Sequence, residues 1–171
     1  MSRGRALRAP TPLDPERAWD YALELLARRA MSAAEVRERL RRRSLPEPDA
    51  DAVVAKLERL GLLNDRAFAE AYVRSRARER GCRALRRELQ HKGVAEDVAE
   101  GALAPHDDAD QAVAARALLR KHAWRFAAAD DDPAAVRAAR ARAYGLLARR
   151  GFPPDAAQAA VEAALGAADP D

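Results

Sequence analysis

Three six-residue stretches share one grammar: LRRRSL at 40–45, LQHKGV at 89–94 and LARRGF at 147–152. Each has a Leu, two polar or small residues, a cation (Arg43, Lys92, Arg150), a Ser or Gly, then an apolar residue. This is the chemistry of a helix end. A residue suited to the left-handed region follows the last turn, the cation complements the negative pole of the helix dipole, and the apolar residue folds back on the turn. Gly93 and Gly151 meet that requirement better than Ser44 does. New helix starts follow each stop, at Pro48 and Asp49, at Glu96 and Asp97, and at Pro153, Pro154 and Asp155. Each phrase therefore marks a helix–turn–helix joint, and a chain with three such joints is expected to be built from helical modules in tandem.

Helices can be read on both sides of each joint. Residues 16–30 place Trp19, Ala22, Leu23 and Leu26 at helical spacing, and Ser32 with Glu35 forms a capping box for the next helix. The first module is expected to hold helices near 15–30, 32–43 and 49–60. The second has helices near 65–80, 82–92 and 95–103, with Asn64 or Asp65 as N-cap; with Asn64 as the cap, Leu63 and Phe68 are spaced as a hydrophobic staple. Phe68, Ala71, Tyr72 and Ser75 are expected to form the buried stripe of its first helix, and Leu85 and Leu89 to lie one turn apart on its second. After the polar break PHDDAD at 105–110, helices near 108–128, 133–150 and 154–165 form the third. The phrases open at Leu40, Leu89 and Leu147, a loose, repeat-like period. Only 5% of residues are aromatic, and much of the 49% hydrophobic share is Ala, which favours helix over strand. The expected fold is all-α, an elongated array of three three-helix repeats at 15–61, 62–104 and 105–171, with a flexible basic tail at 1–14 and a flexible C-terminal end.

Catalytic chemistry has little support. His91, His106 and His122 lack zinc-ligand spacing, and the glycines sit mostly at helix ends without forming a phosphate-cradling loop. The acidic run at 130–132 has no turn glycine or spaced ligands of the kind a calcium loop requires; a solvated loop with a helix cap is the expectation. No enzyme activity, metal or cofactor is therefore expected. Cys82 follows Gly81 at an expected helix start, where the helix N-terminus with Arg80 and Arg83 would favour thiolate; a small residue at a turn is the plainer reading. It is the only cysteine, which excludes an intramolecular disulfide and suits a reducing compartment. With no apolar run at the N-terminus and no long apolar segment anywhere, a soluble, cytoplasmic protein without a membrane association is expected; it is also expected to be a monomer.

Charge is unevenly distributed. From Arg28 to Arg43 seven arginines face Glu35 and Glu38; from Arg74 to Lys92 eight cations face Glu79 and Glu88; from 95 to 114 six acids meet no cation. Arg74 and Arg78 continue one i, i+4 row from Glu70, Arg76 and Arg80 form another, and Arg83, Arg86 and Arg87 lie away from Leu85 and Leu89. Any single arginine here serves solubility as readily as binding. Clustered like charges, however, repel one another unless something anionic meets them, so the expected partner is a nucleic acid or an acidic protein surface. Tyr72 and Phe68 read first as core, which gives base stacking on single strands little support.

Residues 61–94, GLLNDRAFAEAYVRSRARERGCRALRRELQHKGV, resemble the signature of the RecX family, regulators of the RecA recombinase. Gly61, Asn64, Asp65, Phe68 and Ala69 match its entry, Gly81 its internal glycine, and Glu88, Leu89, Lys92 and Gly93 its exit; MSAAEVRERLRRRSL resembles the first-module helix. The resemblance spans roughly 17–103 and fades after 110. It implies a non-catalytic helical array that binds the RecA–DNA filament, lies in its groove, and inhibits strand exchange, ATP hydrolysis and coprotease function, making it a negative modulator of recombination and the SOS response. DNA contact is then weak, non-specific and mainly through the filament. Arg74, Arg76, Arg78, Arg83, Arg86, Arg87 and Lys92, with Arg37, Arg41 and Arg42 of the first module, are the expected contacts; this assignment rests on charge. Cys82 departs from the Lys, Arg or Pro more usual in the family. Two other classes compete. One is a helix-turn-helix repressor, weakened because Gln90 is the only amide on the basic second helix for reading base edges. The other is a scaffold that binds only protein.

Overall fold

The computed structural model describes residues 13–126 and 132–166. The basic tail up to residue 12, the acids Asp130 and Asp131 and the C-terminal end from 167 lie outside the described residues. Within them all regular structure is helical: α1 (Pro15–Arg28), α2 (Ala33–Arg41), α3 (Glu47–Arg59), α4 (Asp65–Arg76), α5 (Cys82–His91), α6 (Glu96–Leu103), α7 (Asp108–Lys121), α8 (Pro133–Arg149) and α9 (Pro154–Leu165), with a 3-10 turn at Ala123–Arg125. The chain divides into two compact units, one up to Phe68 and one from Ala69 onward.

The repeated phrase is the same piece of backbone three times. The N–H of Leu45, Val94 and Phe152 donates to the carbonyl of Leu40, Leu89 and Leu147, at 3.4, 3.1 and 3.1 Å. One residue earlier, Ser44, Gly93 and Gly151 donate to Arg41, Gln90 and Ala148 at 2.8, 2.9 and 3.0 Å. These are the two bonds that satisfy the orphan carbonyls of a helix end. Ser44 takes the left-handed conformation (φ 59°) as fully as Gly93 (72°) and Gly151 (80°), so the weaker fit expected of Ser44 is not a departure in geometry. All six flanking apolar residues are buried. A fourth such stop, absent from the sequence reading, ends α3: Gly61 has φ 67°, Leu62 donates to the Leu57 carbonyl at 2.9 Å, and Gly61 donates to Glu58 at 2.9 Å.

Helix starts follow the expected caps. Ser32 and Glu35 form the reciprocal capping box of α2. Asn64 Oδ1 accepts from the Ala67 N–H at 2.9 Å, which makes Asn64 the cap of α4 and places buried Leu63 and Phe68 at the staple positions. This leaves the Asp65 carboxylate to accept from the Ala33 N–H at 2.8 Å, at the start of α2. A matching bond occurs one joint later, where the buried Gln111 side chain of α7 accepts from the Cys82 N–H at the start of α5, at 2.9 Å. In both places a side chain from a helix further along the chain caps the start of an earlier one.

Three expectations require correction. The stripe of α4 is Phe68, Ala69, Tyr72 and Val73, while Ala71 and Ser75 are exposed; the apolar side chains Ala69 and Val73 set the buried face, one position round from the one expected. α4 ends at Arg76 rather than near 80, because the chain turns at 77–80 to bring Gly81 against the end of α8. The continuous rows expected for Arg78 and Arg80 are therefore interrupted. α7 ends at Lys121 rather than near 128; the tighter 3-10 turn that follows delivers Phe126 into the core.

In the unit up to Phe68, α1, α2 and α3 pack around Ala22, Val36, Leu40, Val54 and Leu57. In the other unit α5 packs on α6, and α9 packs on both α7 and α8 around Leu118, Leu119, Leu147 and Phe152. There the Gly81 N–H donates to the Arg150 carbonyl at 2.9 Å and the Arg83 N–H to the Gly151 carbonyl at 3.2 Å, so the stop after α8 is fastened to the start of α5.

Candidate anion-binding surface

Fastening α5 at its N-terminus fixes which way its cations face. Leu85 and Leu89 are fully buried, so Arg83 and Arg87, one turn apart on the opposite side, are exposed. Arg74 and Arg76 on α4 and Arg78 in the following turn are exposed too. Among the described residues Arg74, Arg78, Arg83 and Arg87 have no carboxylate within salt-bridge distance.

Arg86, grouped with these by the sequence, is used differently. Its Nε donates to Glu100 Oε1 and its Nη2 to Glu100 Oε2, a two-pronged pair that ties α5 to α6. The guanidinium beside Glu100 holds that carboxyl below its usual range. The first-unit candidates are likewise engaged: Arg37 pairs with Asp51 at 2.5 Å, and Arg41 and Arg42 both reach Glu38 at 2.9 Å. A charge run thus overstates the free positive charge on α2.

Between α4, α5 and the end of α8 lies a shallow cleft of about 440 Å³, bordered by Arg80, Arg87, His91, Lys92 and Arg149, with Tyr72 and Glu88 in its wall. Tyr72, read from sequence as core, is only half-buried. Its hydroxyl donates to Glu88 Oε2 at 2.8 Å, and its ring carries the Arg76 guanidinium at 4.4 Å and the Lys92 ammonium at 5.4 Å. Burial, and then the bond to Glu88, push the Tyr72 phenol up, so it stays protonated and donating at neutral pH. Arg80 lies 3.5 Å from Glu88. One carboxylate thus holds Tyr72 and Arg80 in place, while Arg87, His91 and Arg149 lie exposed at the border of the cleft.

Arg80, His91 and Arg149 were not among the sequence candidates. Arg149 has a signal in the repeated phrase, since it stands in LARRGF where His91 stands in LQHKGV. Cys82 does not match the thiolate reading: desolvation pushes its thiol up and outweighs the nearby Arg86, and its Sγ lies 3.7 Å from the His106 carbonyl. It serves as a small residue at a helix start. Among the described residues no group of three or more His, Cys, Asp or Glu is placed to hold a metal ion, and no helix is long and apolar enough to cross a membrane.

Comparison with known proteins places this surface in a family. Residues 18–57 match the first three-helix domain of RecX and residues 64–103 the second. The regulatory protein RecX of Amycolatopsis mediterranei is 35% identical over 162 residues, covering 91% of this chain and 90% of that protein. That of Streptomyces coelicolor is 36% identical over 167 residues, covering 96% and 86%. The chain belongs to the RecX family. The crystal structure of RecX from Lactobacillus salivarius superposes with a TM-score of 0.76 at 26% identity, covering 88% of this chain and 96% of that one. The two domain matches stop at residue 103, so α7 to α9 share the RecX fold through the structural match and the full-length relatives rather than through a domain model. The arginines of α4 and α5 and most of the cleft lie inside the second matched domain; Arg149 comes from beyond it.

Proposed function

We propose that this RecX-family chain is a non-enzymatic regulator that binds the RecA–DNA filament and inhibits RecA's recombinase, ATPase and coprotease activities, acting in the cytoplasm as a monomer and as a negative modulator of recombination and the SOS response. The observation that carries this reading is the set of exposed arginines Arg74, Arg78, Arg83 and Arg87, without a carboxylate within salt-bridge distance among the described residues, of which Arg87 also borders the Tyr72 cleft. Such a surface loses nothing by staying in water and gains when an anionic surface meets it. The reading takes residues 15–61, 62–104 and 105–171 as three modules and gives the middle one the principal contact. Arg37, Arg41 and Arg42 contribute less, because an anion would have to compete with Asp51 and Glu38 for them. Arg86 acts mainly within the fold through Glu100.

The test is inhibition of DNA-dependent RecA ATPase by the double substitution Arg83→Glu and Arg87→Glu. Helicity and melting temperature should hold, since exposed substitutions move stability by only about 0.5 kcal/mol. Inhibition should weaken by about tenfold or more, the loss of roughly 1.4 kcal/mol of binding. DNA binding by the chain alone, measured at the same salt, should be weak, without sequence preference and steeply salt-dependent. Full inhibition by the folded double variant would remove these arginines from the contact. Tight, salt-resistant binding to one duplex sequence without RecA would favour a DNA-reading repressor.

A further inference from the structure

Away from the α4–α5 cations, the last group of helices carries an apolar groove. α7, the 3-10 turn, α8 and the end of α9 border about 510 Å³ lined by Leu119, Ala123, Phe126, Val136, Ala163 and Leu165. A second hollow continues it along α7, past exposed Val113, and shares Arg120 and Ala163 with the first. The wall of the first hollow is mostly hydrocarbon and alanine supplies much of it, so another backbone can approach closely, whereas the second is lined by Arg116 and Arg120 as well as by Val113 and alanines. Two cations mark one rim. Arg116 and Arg120 are exposed, one turn apart on α7, and among the described residues neither has a carboxylate within salt-bridge distance. Glu162 on α9, next in sequence to the lining residue Ala163, accepts from Gln158 Nε2 at 2.9 Å.

We propose that this groove docks an amphipathic helix of a partner protein, its apolar side chains entering between α7 and α9 and two carboxylates one turn apart meeting Arg116 and Arg120. Side chains at i and i+4 are neighbours on a helix surface, so the arginine spacing matches acids spaced three or four residues apart on the incoming helix. Charge complementarity selects an acidic helix, and the apolar lining of the larger hollow favours side chains of hydrocarbon over a phosphate backbone. The volume falls within the range of sites that bury several apolar groups at once. This docking is independent of the filament contact assigned to α4 and α5.

The probe is a fluorescein-labelled designed peptide of about four helical turns, with leucines at i, i+3, i+4 and i+7 on one face and glutamates flanking them. It is titrated against the full chain by fluorescence polarisation, and Trp124, 77% exposed and next to Ala123 of the lining, gives a second readout through its emission. Binding is expected at roughly micromolar concentration. It should weaken at least about tenfold with Arg116→Glu and Arg120→Glu together, and return when the peptide's glutamates are replaced by lysines. Ala164→Trp, at an exposed position in the wall, should block both peptides while leaving RecA inhibition unchanged. The proposal fails if the lysine peptide binds the unsubstituted chain equally well, if the charge exchange gives no rescue, or if the chain self-associates in sedimentation through this groove and excludes the peptide.

Discussion

Gly81 separates two reasons for a glycine, and substituting it tests how α5 is positioned. Its φ of −77° lies in extended backbone open to any residue, so conformation does not demand glycine there. Space does. A Cβ at Gly81 would overlap the Gly151 carbonyl and the Phe152 nitrogen, backbone atoms with no flexible end to give way. Gly81→Ala must therefore push the start of α5 from the end of α8, breaking the Gly81 to Arg150 and Arg83 to Gly151 bonds and straining the Cys82 to Gln111 bond. Leaving a buried polar group unmet costs about 1–3 kcal/mol, so two lost bonds imply roughly 2–6 kcal/mol. Gly101 is the matched comparison: it lies inside α6, exposed, with nothing within 4 Å of an added Cβ. Gly101→Ala should stabilise by about 0.8–1.0 kcal/mol through helix propensity alone. Urea unfolding followed by far-ultraviolet circular dichroism would read both, and the same substitution should move the midpoint in opposite directions. An unchanged midpoint for Gly81→Ala would refute the close-approach argument and, with it, the account of how Arg83 and Arg87 are aimed.

Ser44 holds φ 59° with a side chain present, so Ser44→Gly should stabilise by about 0.5–1 kcal/mol, the left-handed penalty less the extra chain entropy of glycine, whereas Gly93→Ala should destabilise; thermal melts of both variants check the sign. Leu89 is fully buried, and Leu89→Ala should cost about 2–5 kcal/mol in chemical denaturation. Arg86 holds the folded-state pKa of Glu100 below its ordinary value near 4.5, so the pair's contribution is in place above that value and is lost as pH falls through the lowered one. Stability measured across acid pH should decline there, and Glu100→Gln should flatten part of the decline; an unaltered profile would show that the pair contributes nothing.

The helix ends were legible because their requirements are local. Leu40, Leu89 and Leu147 each accept from a residue five positions on, so five or six letters contain the whole hydrogen-bond pattern, as the box of Ser32 and Glu35 does within four. What could not be read depends on residues brought together from afar. Arg86 looks like its neighbour Arg87 until Glu100 comes within reach, Arg37 looks free until Asp51 does, and Gly81 shows its reason only beside Gly151. The phrase itself shows where the boundary falls. Its cation precedes the left-handed residue every time, yet Arg43 lies 5.1 Å from the ring of Tyr21, Lys92 lies 5.4 Å from that of Tyr72, and Arg150 donates to the Glu79 carbonyl at 3.3 Å. The first two place the cation over a tyrosine of the first helix in its own group. The third reaches back to the turn before α5 and so helps to fasten the stop after α8 there. One local motif therefore sets three identical backbone turns, while the partner its cation finds decides whether the turn closes its own group of helices or grips the preceding one. That second role brings Arg149 to the Tyr72 cleft, which explains why a residue outside the matched domains belongs to the proposed contact surface.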